Sequence, residues 1–248
     1  MNLLDDLNLQ QKKAVTHPAG PLLVLAGAGS GKTRVLTYRI AYLINNQGIK
    51  PKSILAITFT NKAAQEMKDR IKQLLPSVDD ILVSTFHSAC VRFLRVDIDK
   101  LGYNRNFIIF DTQDQQVLVK ECLRTLNIDE KKFAPAVVLS YIGRAKDKLL
   151  EPAKCLDGAK DIREKTMATV YELYQKRLKE NNALDFDDII MKTVKLFKEF
   201  PAVLSYYQNR FSHILVDEYQ DTNLAQYELV RMMAAKHRNL CVVGDDDQ

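Results

Sequence analysis

The sequence has no long apolar run. Its 248 residues are 46% hydrophobic, yet no stretch approaches the roughly 20 consecutive apolar residues that a membrane-spanning helix needs. The first residues, MNLLDDLNLQ, carry acids where a secretory leader needs basic residues followed by a longer apolar segment. Cysteine is scarce and scattered. Cys90, Cys122, Cys155 and Cys241 form no Cys-x-x-Cys pair, which excludes a zinc site of that kind and argues against a disulfide framework. There is no internal repeat and no low-complexity segment. These absences leave an ordinary globular chain, expected in the cytoplasm, with no membrane partner, and long enough for one large or two small cores.

Charge is present but uneven. The chain has 36 Lys and Arg against 31 Asp and Glu, a net +5. From residue 212 to 248 there are seven acids and only three Lys or Arg, so the rest of the chain is the basic part. A basic body with an acidic pocket suits a polyanion on the surface and a divalent cation at the acids. A solvated basic face is the plain alternative.

Short apolar runs alternate with longer helical patterns. The runs are PLLVLAG, SILAITF, DILVSTF, NFIIFD, SHILVDE and NLCVVG. Each is continuously apolar rather than alternating, which predicts strands buried on both faces of a parallel sheet. Between them, Leu36, Ile40 and Leu43, and then Ala64, Met67, Ile71 and Leu74, recur at helical spacing. This rhythm predicts an α/β fold. From residue 111 to 184 it breaks: the segments there read as helices, with loops near Pro135 and Pro152. The expected organisation is an α/β domain in two segments, 1–110 and 185–248, interrupted by an all-helical insertion at 111–184.

The strongest local signal is VLAGAGSGKTRVL. A strand runs into a small-residue loop and then a helix. Phosphate oxygens must approach the backbone closely, which calls for small residues at Gly27, Ala28, Gly29, Ser30 and Gly31. Lys32 is placed to reach the β and γ phosphates and Thr33 to bind Mg²⁺ through its hydroxyl. The pattern departs from G-x-x-x-x-G-K-[ST] at its first position, Ala26, a small residue that still permits the turn. The partner of such a loop is an acid at the end of another buried strand. HILVDEYQDT supplies Asp217 as the metal-binding acid and Glu218 as the acceptor of a proton from attacking water. Together these predict binding of ATP or another nucleoside triphosphate with Mg²⁺, and a hydrolase.

LNLQQKKAV, AGAGSGKTRVL, AITFTNKAAQEM, STFHSACVRFLR, LDFDDII, VDEYQDTN and VVGDDDQ occur in the order and rough spacing of the UvrD/PcrA/Rep-type superfamily 1 DNA helicases, which the chain resembles from Leu7 to Gln248. The resemblance implies a RecA-like P-loop NTPase domain with a helical subdomain inserted into it. It also implies ATP-driven 3′→5′ movement on single-stranded DNA and unwinding of duplexes at single-strand/duplex junctions, in DNA repair or replication and alongside proteins of those processes. By position, Gln11 matches the glutamine that reads adenine, Arg34 a residue packed near the base, and Gln248 a glutamine that touches the γ-phosphate. In this family GDDDQ leads on into a DNA-binding segment and a second RecA-like domain. The expectation is therefore the N-terminal part of a longer helicase, unable to sustain turnover alone. A subunit of a RecB/AddA-like helicase–nuclease and a non-catalytic nucleotide- or DNA-binding module are the alternatives.

The same resemblance marks ITFTNKAA and STFHS as single-strand contacts. Phe59 and Phe86 are aromatics on which a base can stack. Thr60, Asn61, Thr85 and His87 can hydrogen-bond phosphates, and Lys62 adds charge. Core packing is the competing reading of both phenylalanines, and a structural role that of His87. Asp185, Asp187 and Asp188 of LDFDDII are read as helix-capping acids without a catalytic role.

Overall fold

The computed structural model describes residues 3–27 and 29–245. Its strands, in chain order, are β1 (Leu22–Leu25), β2 (Ile54–Thr58), β3 (Leu82–Thr85), β4 (Ile108–Ile109), β5 (Ala183–Leu184), β6 (His213–Val216) and β7 (Leu240–Gly244). The helices are α1 (Leu9–Thr16), α2 (Lys32–Asn45), α3 (Asn61–Leu74), α4 (Phe86–Asp97), α5 (Thr112–Thr125), α6 (Pro135–Asp147), α7 (Pro152–Asp157), α8 (Ile162–Glu180), α9 (Phe186–Glu199), α10 (Pro201–Arg210) and α11 (Leu224–Ala234). The chain divides into two compact units, one of Met1–Ala89, Pro201–Thr222 and Val230–Gln248, the other of Cys90–Phe200 and Asn223–Leu229.

The first unit holds a five-stranded sheet in the order β1-β7-β6-β2-β3. Every pairing in it is parallel. All five strands therefore end at one edge, where open α/β sheets hold ligands. The continuous apolar runs behave as expected in the middle: every residue of β2 and of β6 is buried. Leu36, Ile40 and Leu43 of α2 and Ala64, Met67 and Ile71 of α3 pack on Ala56, Leu215 and Val243 of the sheet. β1 departs from the expectation. Among the described residues it pairs with β7 alone, and Leu23 and Leu25 are 58% and 55% exposed. A strand paired on one side can leave one face uncovered while its sequence stays apolar.

The second unit is built mainly from helices. Leu118, Val119 and Leu123 of α5, Val138 and Ile142 of α6, and Tyr171, Tyr174 and Leu178 of α8 form one buried cluster. NFIIFD is not a strand of the large sheet. Only Ile108 and Ile109 form a strand, which pairs with β5 in a separate two-stranded ladder. The run is cut short because Asp111 already caps α5, accepting from the N–H groups of Gln113 and Asp114. β5 itself is two residues long, too short to carry a periodic signal. The compact units part within α4, between α9 and α10, and on either side of Asn223–Leu229; within the second unit α9 packs on α6.

The second unit also contains a closed charge network. Lys146 is fully buried, with its ammonium 2.6 Å from Asp185 and 3.1 Å from Asp188. Burial pushes its pKa down, but the two carboxylates outweigh that and hold it above the ordinary lysine value. Asp185 is at once the cap of α9, accepting from Asp188 N–H at 2.8 Å, and the acceptor of the Tyr174 hydroxyl at 2.9 Å. The capping role read from LDFDDII thus holds for Asp185, and the lysine that neutralises it lies 39 residues earlier in the chain.

His213 opens β6 only 8% exposed. Burial, with His237 and Arg39 nearby, pushes its pKa from 6.5 down to about 4. The folded chain therefore holds the ring neutral while the unfolded chain protonates it, so stability falls as pH drops through the window from 6.5 toward 4. From neutral pH to pH 5 this amounts to at most about 2 kcal/mol. Urea unfolding across that range should show the loss in the wild-type chain and a flatter dependence in His213→Gln.

Candidate functional site

The loop after β1 is shaped by its backbone. The Ala26 N–H donates to Gly244 O at 3.1 Å, carrying the β1–β7 ladder one residue beyond the strand. Gly29 and Gly31 have φ of 74° and 89°, conformations that side-chain-bearing residues rarely adopt. Gly31 caps α2 without a side chain. The first-turn N–H groups of a helix lack acceptors inside it, so this end presents donors and the positive end of the dipole. Gly27, Gly29 and Ser30 form the rest of the described loop, with the Ser30 N–H donating to Gly27 O at 3.2 Å. Ala28 lies outside the described residues.

Gln11 sits against this loop. Its Nε2 donates to Ser30 O at 3.2 Å. Its Oε1 accepts the Asn8 N–H at 3.1 Å, closing a capping box on α1. A Cβ at Gly31 would lie 3.0 Å from the Gln11 amide nitrogen, so glycine there makes room for it. Arg34 donates to Asp6 O at 2.7 Å and lies over the Tyr38 ring at 5.3 Å.

The acids arrive from the ends of the neighbouring strands. Asp217 follows β6 and is 4% exposed. Its Oδ2 accepts the Thr33 hydroxyl at 3.1 Å, and burial raises its pKa above the ordinary aspartate value. Glu218 has φ 49° and ψ 46°, a left-handed conformation that costs a non-glycine residue about 1–2 kcal/mol. Its N–H is held by Asp217 Oδ1 at 3.1 Å. The Lys32 ammonium reaches Asp245 at 2.8 Å and Glu218 at 3.4 Å. The bond to Asp245 is the main cause of its raised pKa. Two residues here were not singled out from sequence. Asp245 binds Lys32, and Gln220 donates to Glu218 Oε2 at 2.9 Å while accepting the Asp245 N–H at 3.0 Å. Both lie inside quoted motifs, VDEYQDT and GDDDQ, but a motif does not say which of its side chains face one another. Gln248 lies outside the described residues.

Among the described residues no group of three His, Cys, Asp or Glu side chains is placed to hold a metal ion. The adjacent Thr33 hydroxyl and Asp217 carboxylate fit Mg²⁺, which takes one or two protein oxygens and fills its octahedron with water and phosphate.

The segments after β2 and β3 reach the same edge of the sheet. Thr60 caps α3, its hydroxyl accepting the Ala63 N–H at 3.1 Å. Asn61 and Lys62 are exposed. The Thr85 hydroxyl is buried and bonds Ser88, while His87 is half-buried. The two phenylalanines separate. Phe86 is 2% exposed and meets Phe59 edge-to-face at 5.5 Å, so in this state it offers no open face to a base and occupies the core position. Phe59 is half-buried.

A parallel sheet with a glycine loop after one strand, Lys-Thr opening the next helix and an acid ending a nearby strand defines the class: a RecA-like P-loop nucleotide-binding fold. Within that class, the chain belongs to the UvrD/REP helicase N-terminal domain family, which matches residues 7–248. It is 55% identical over 247 residues to the ATP-dependent DNA helicase PcrA of Bacillus subtilis (strain 168). It is 53% identical over 247 residues to the protein of that name in Staphylococcus aureus (strain COL). Each alignment covers 99% of this chain and 33% and 34% of the respective relative, so the chain spans about a third of their length. No helix among the described residues is long and apolar enough to cross a membrane.

The different burial of the two rings gives opposite expectations. Phe86→Ala should lower unfolding free energy by about 3–5 kcal/mol, as for a buried aromatic. Phe59→Ala should cost single-stranded DNA affinity about 1–3 kcal/mol if its ring takes a base, with a smaller loss of stability. Urea melts and fluorescence anisotropy on an oligonucleotide check both, and exchanged effects would reverse the assignment.

Proposed function

We propose that the chain is the ATP-binding N-terminal part of an ATP-dependent DNA helicase that moves 3′→5′ on single-stranded DNA and unwinds duplexes in repair or replication. In this reading the helical stretch is a subdomain inserted into the RecA-like domain, and the protein works in the cytoplasm, where its DNA lies. The observation that carries it is the meeting of Lys32, Thr33 and Asp217 at the N-terminus of α2, which no side chain caps. Lys32 now bonds carboxylates at 2.8 and 3.4 Å and exchanges them for β and γ phosphate oxygens when ATP binds. Thr33 and Asp217 would hold Mg²⁺, which would neutralise charge on the phosphates. Glu218 takes the proton of the attacking water. Gln11 and Arg34, beside the loop, face the base.

The single strand crosses the ends of β2 and β3, where Asn61, Lys62 and the Phe59 ring are accessible. Thr60, Thr85 and His87 complete that track, with Phe86 supporting Phe59 from below. Nucleotide and strand then share one sheet edge, so a change of loop position at one is felt at the other.

Lys32→Ala should weaken Mg·ATP binding by about 1.5–3 kcal/mol, the worth of a charge-assisted hydrogen bond. Isothermal calorimetry measures this directly, and an unchanged affinity would remove the loop from the nucleotide site.

A further inference from the structure

We propose that Gln220 is a positioning residue for ATP hydrolysis: its amide holds the Glu218 carboxylate and ties it to the end of β7. The inference rests on the reading of Glu218 as the proton acceptor. Gln220 Nε2 donates to Glu218 Oε2 at 2.9 Å, and Oε1 of the same amide accepts the Asp245 N–H at 3.0 Å. This orientation is fixed by chemistry. A flipped amide would set oxygen against a carboxylate and nitrogen against an N–H. The amide therefore spans two groups that approach Lys32 from different strands, and Lys32, Glu218, Gln220 and Asp245 form one closed cycle of contacts.

The ring has a chemical consequence. The Lys32 and Gln220 contacts both fall on Glu218 Oε2, which assigns proton acceptance to Oε1. Without the amide, the carboxylate is free to rotate and to draw its other oxygen toward Lys32. Glu218 also has a left-handed backbone, so its side chain leaves the chain in a direction set by the turn at 218–221. Gly244 belongs to the same device. A Cβ there would stand 3.1 Å from Gln220 Oε1, whereas its next nearest contact is an ordinary 3.7 Å. Glycine at 244 thus leaves the space that the amide occupies.

The test is steady-state ATP hydrolysis by the full-length protein at saturating single-stranded DNA, with Mg·ATP affinity and melting temperature measured in parallel. Gln220→Ala should lower kcat about 10–100-fold, the scale of a misplaced reacting group, and leave nucleotide affinity within about twofold. Gln220→Glu keeps the length but replaces the donor by a carboxylate, and should not restore kcat. Gly244→Ala should lower kcat in the wild-type background and have little further effect on Gln220→Ala, as expected of two changes acting through one contact. An active wild type with unchanged kcat in Gln220→Ala overturns the positioning role alone. So does a loss of kcat matched by equal losses of affinity and melting temperature. A wild type that does not hydrolyse ATP overturns the hydrolase reading and this inference with it.

Discussion

The charge on Lys32 is compensated by groups that reach it from two other strands, and the nucleotide end of the first unit is arranged around that compensation. Lys32 follows β1, Glu218 follows β6 and Asp245 follows β7. They converge because β1, β7 and β6 are adjacent and parallel, with Leu25 level with Gly244 and Val216 level with Val242. A two-residue slip of β7 would carry Asp245 about 7 Å along the strand direction, beyond reach of the ammonium. Register is held in turn by the close packing of β6 and β7, which are buried almost throughout, since a slip would exchange side chains fitted to one buried face with those fitted to the other. The apolar centre of the sheet is thus what holds the charged edge in place.

The second unit uses a lysine between two carboxylates to another end. Lys146 and its two aspartates are at most 2% exposed, whereas the side chain of Lys32 is 10% exposed at the mouth of a glycine loop. A sealed network of this kind is costly to break, about 3–5 kcal/mol for loss of one partner. Through Asp185 it fixes the start of α9, and through Tyr174 it ties that start to α8. Lys32 is placed where its partners can be exchanged.

Much of this was legible in the chain, for physical reasons. A strand buried on both faces is continuously apolar, so β2 and β6 stand out. A phosphate loop needs small residues at fixed spacing before Lys-Thr. What stayed hidden depends on contacts distant in sequence. Ile108 and Ile109 look like core strand residues until Asp111 is seen capping α5. Phe59 and Phe86 are the same residue type at comparable strand ends, and only packing tells them apart. Asp185 gives no sign that its counter-ion is Lys146. Gln220 sits two residues from Glu218, but its second partner, the Asp245 N–H, is 25 residues away.

If Lys32 leaves its carboxylates for phosphate, as proposed, the exchange imposes a condition on its surroundings. The Asp245 side chain is 2% exposed, so the loss of a close ammonium there is felt strongly, with little solvent to screen it. The Asp245 N–H is bound to Gln220, and Gln220 is bound to Glu218. Displacement at Lys32 is therefore transmitted by hydrogen bonds along a short closed path to Glu218. In the proposed function, nucleotide entry and the setting of Glu218 are then one event in the same ring of side chains. The left-handed turn at Glu218 makes that position a strained one, held by its neighbours and sensitive to any change in them.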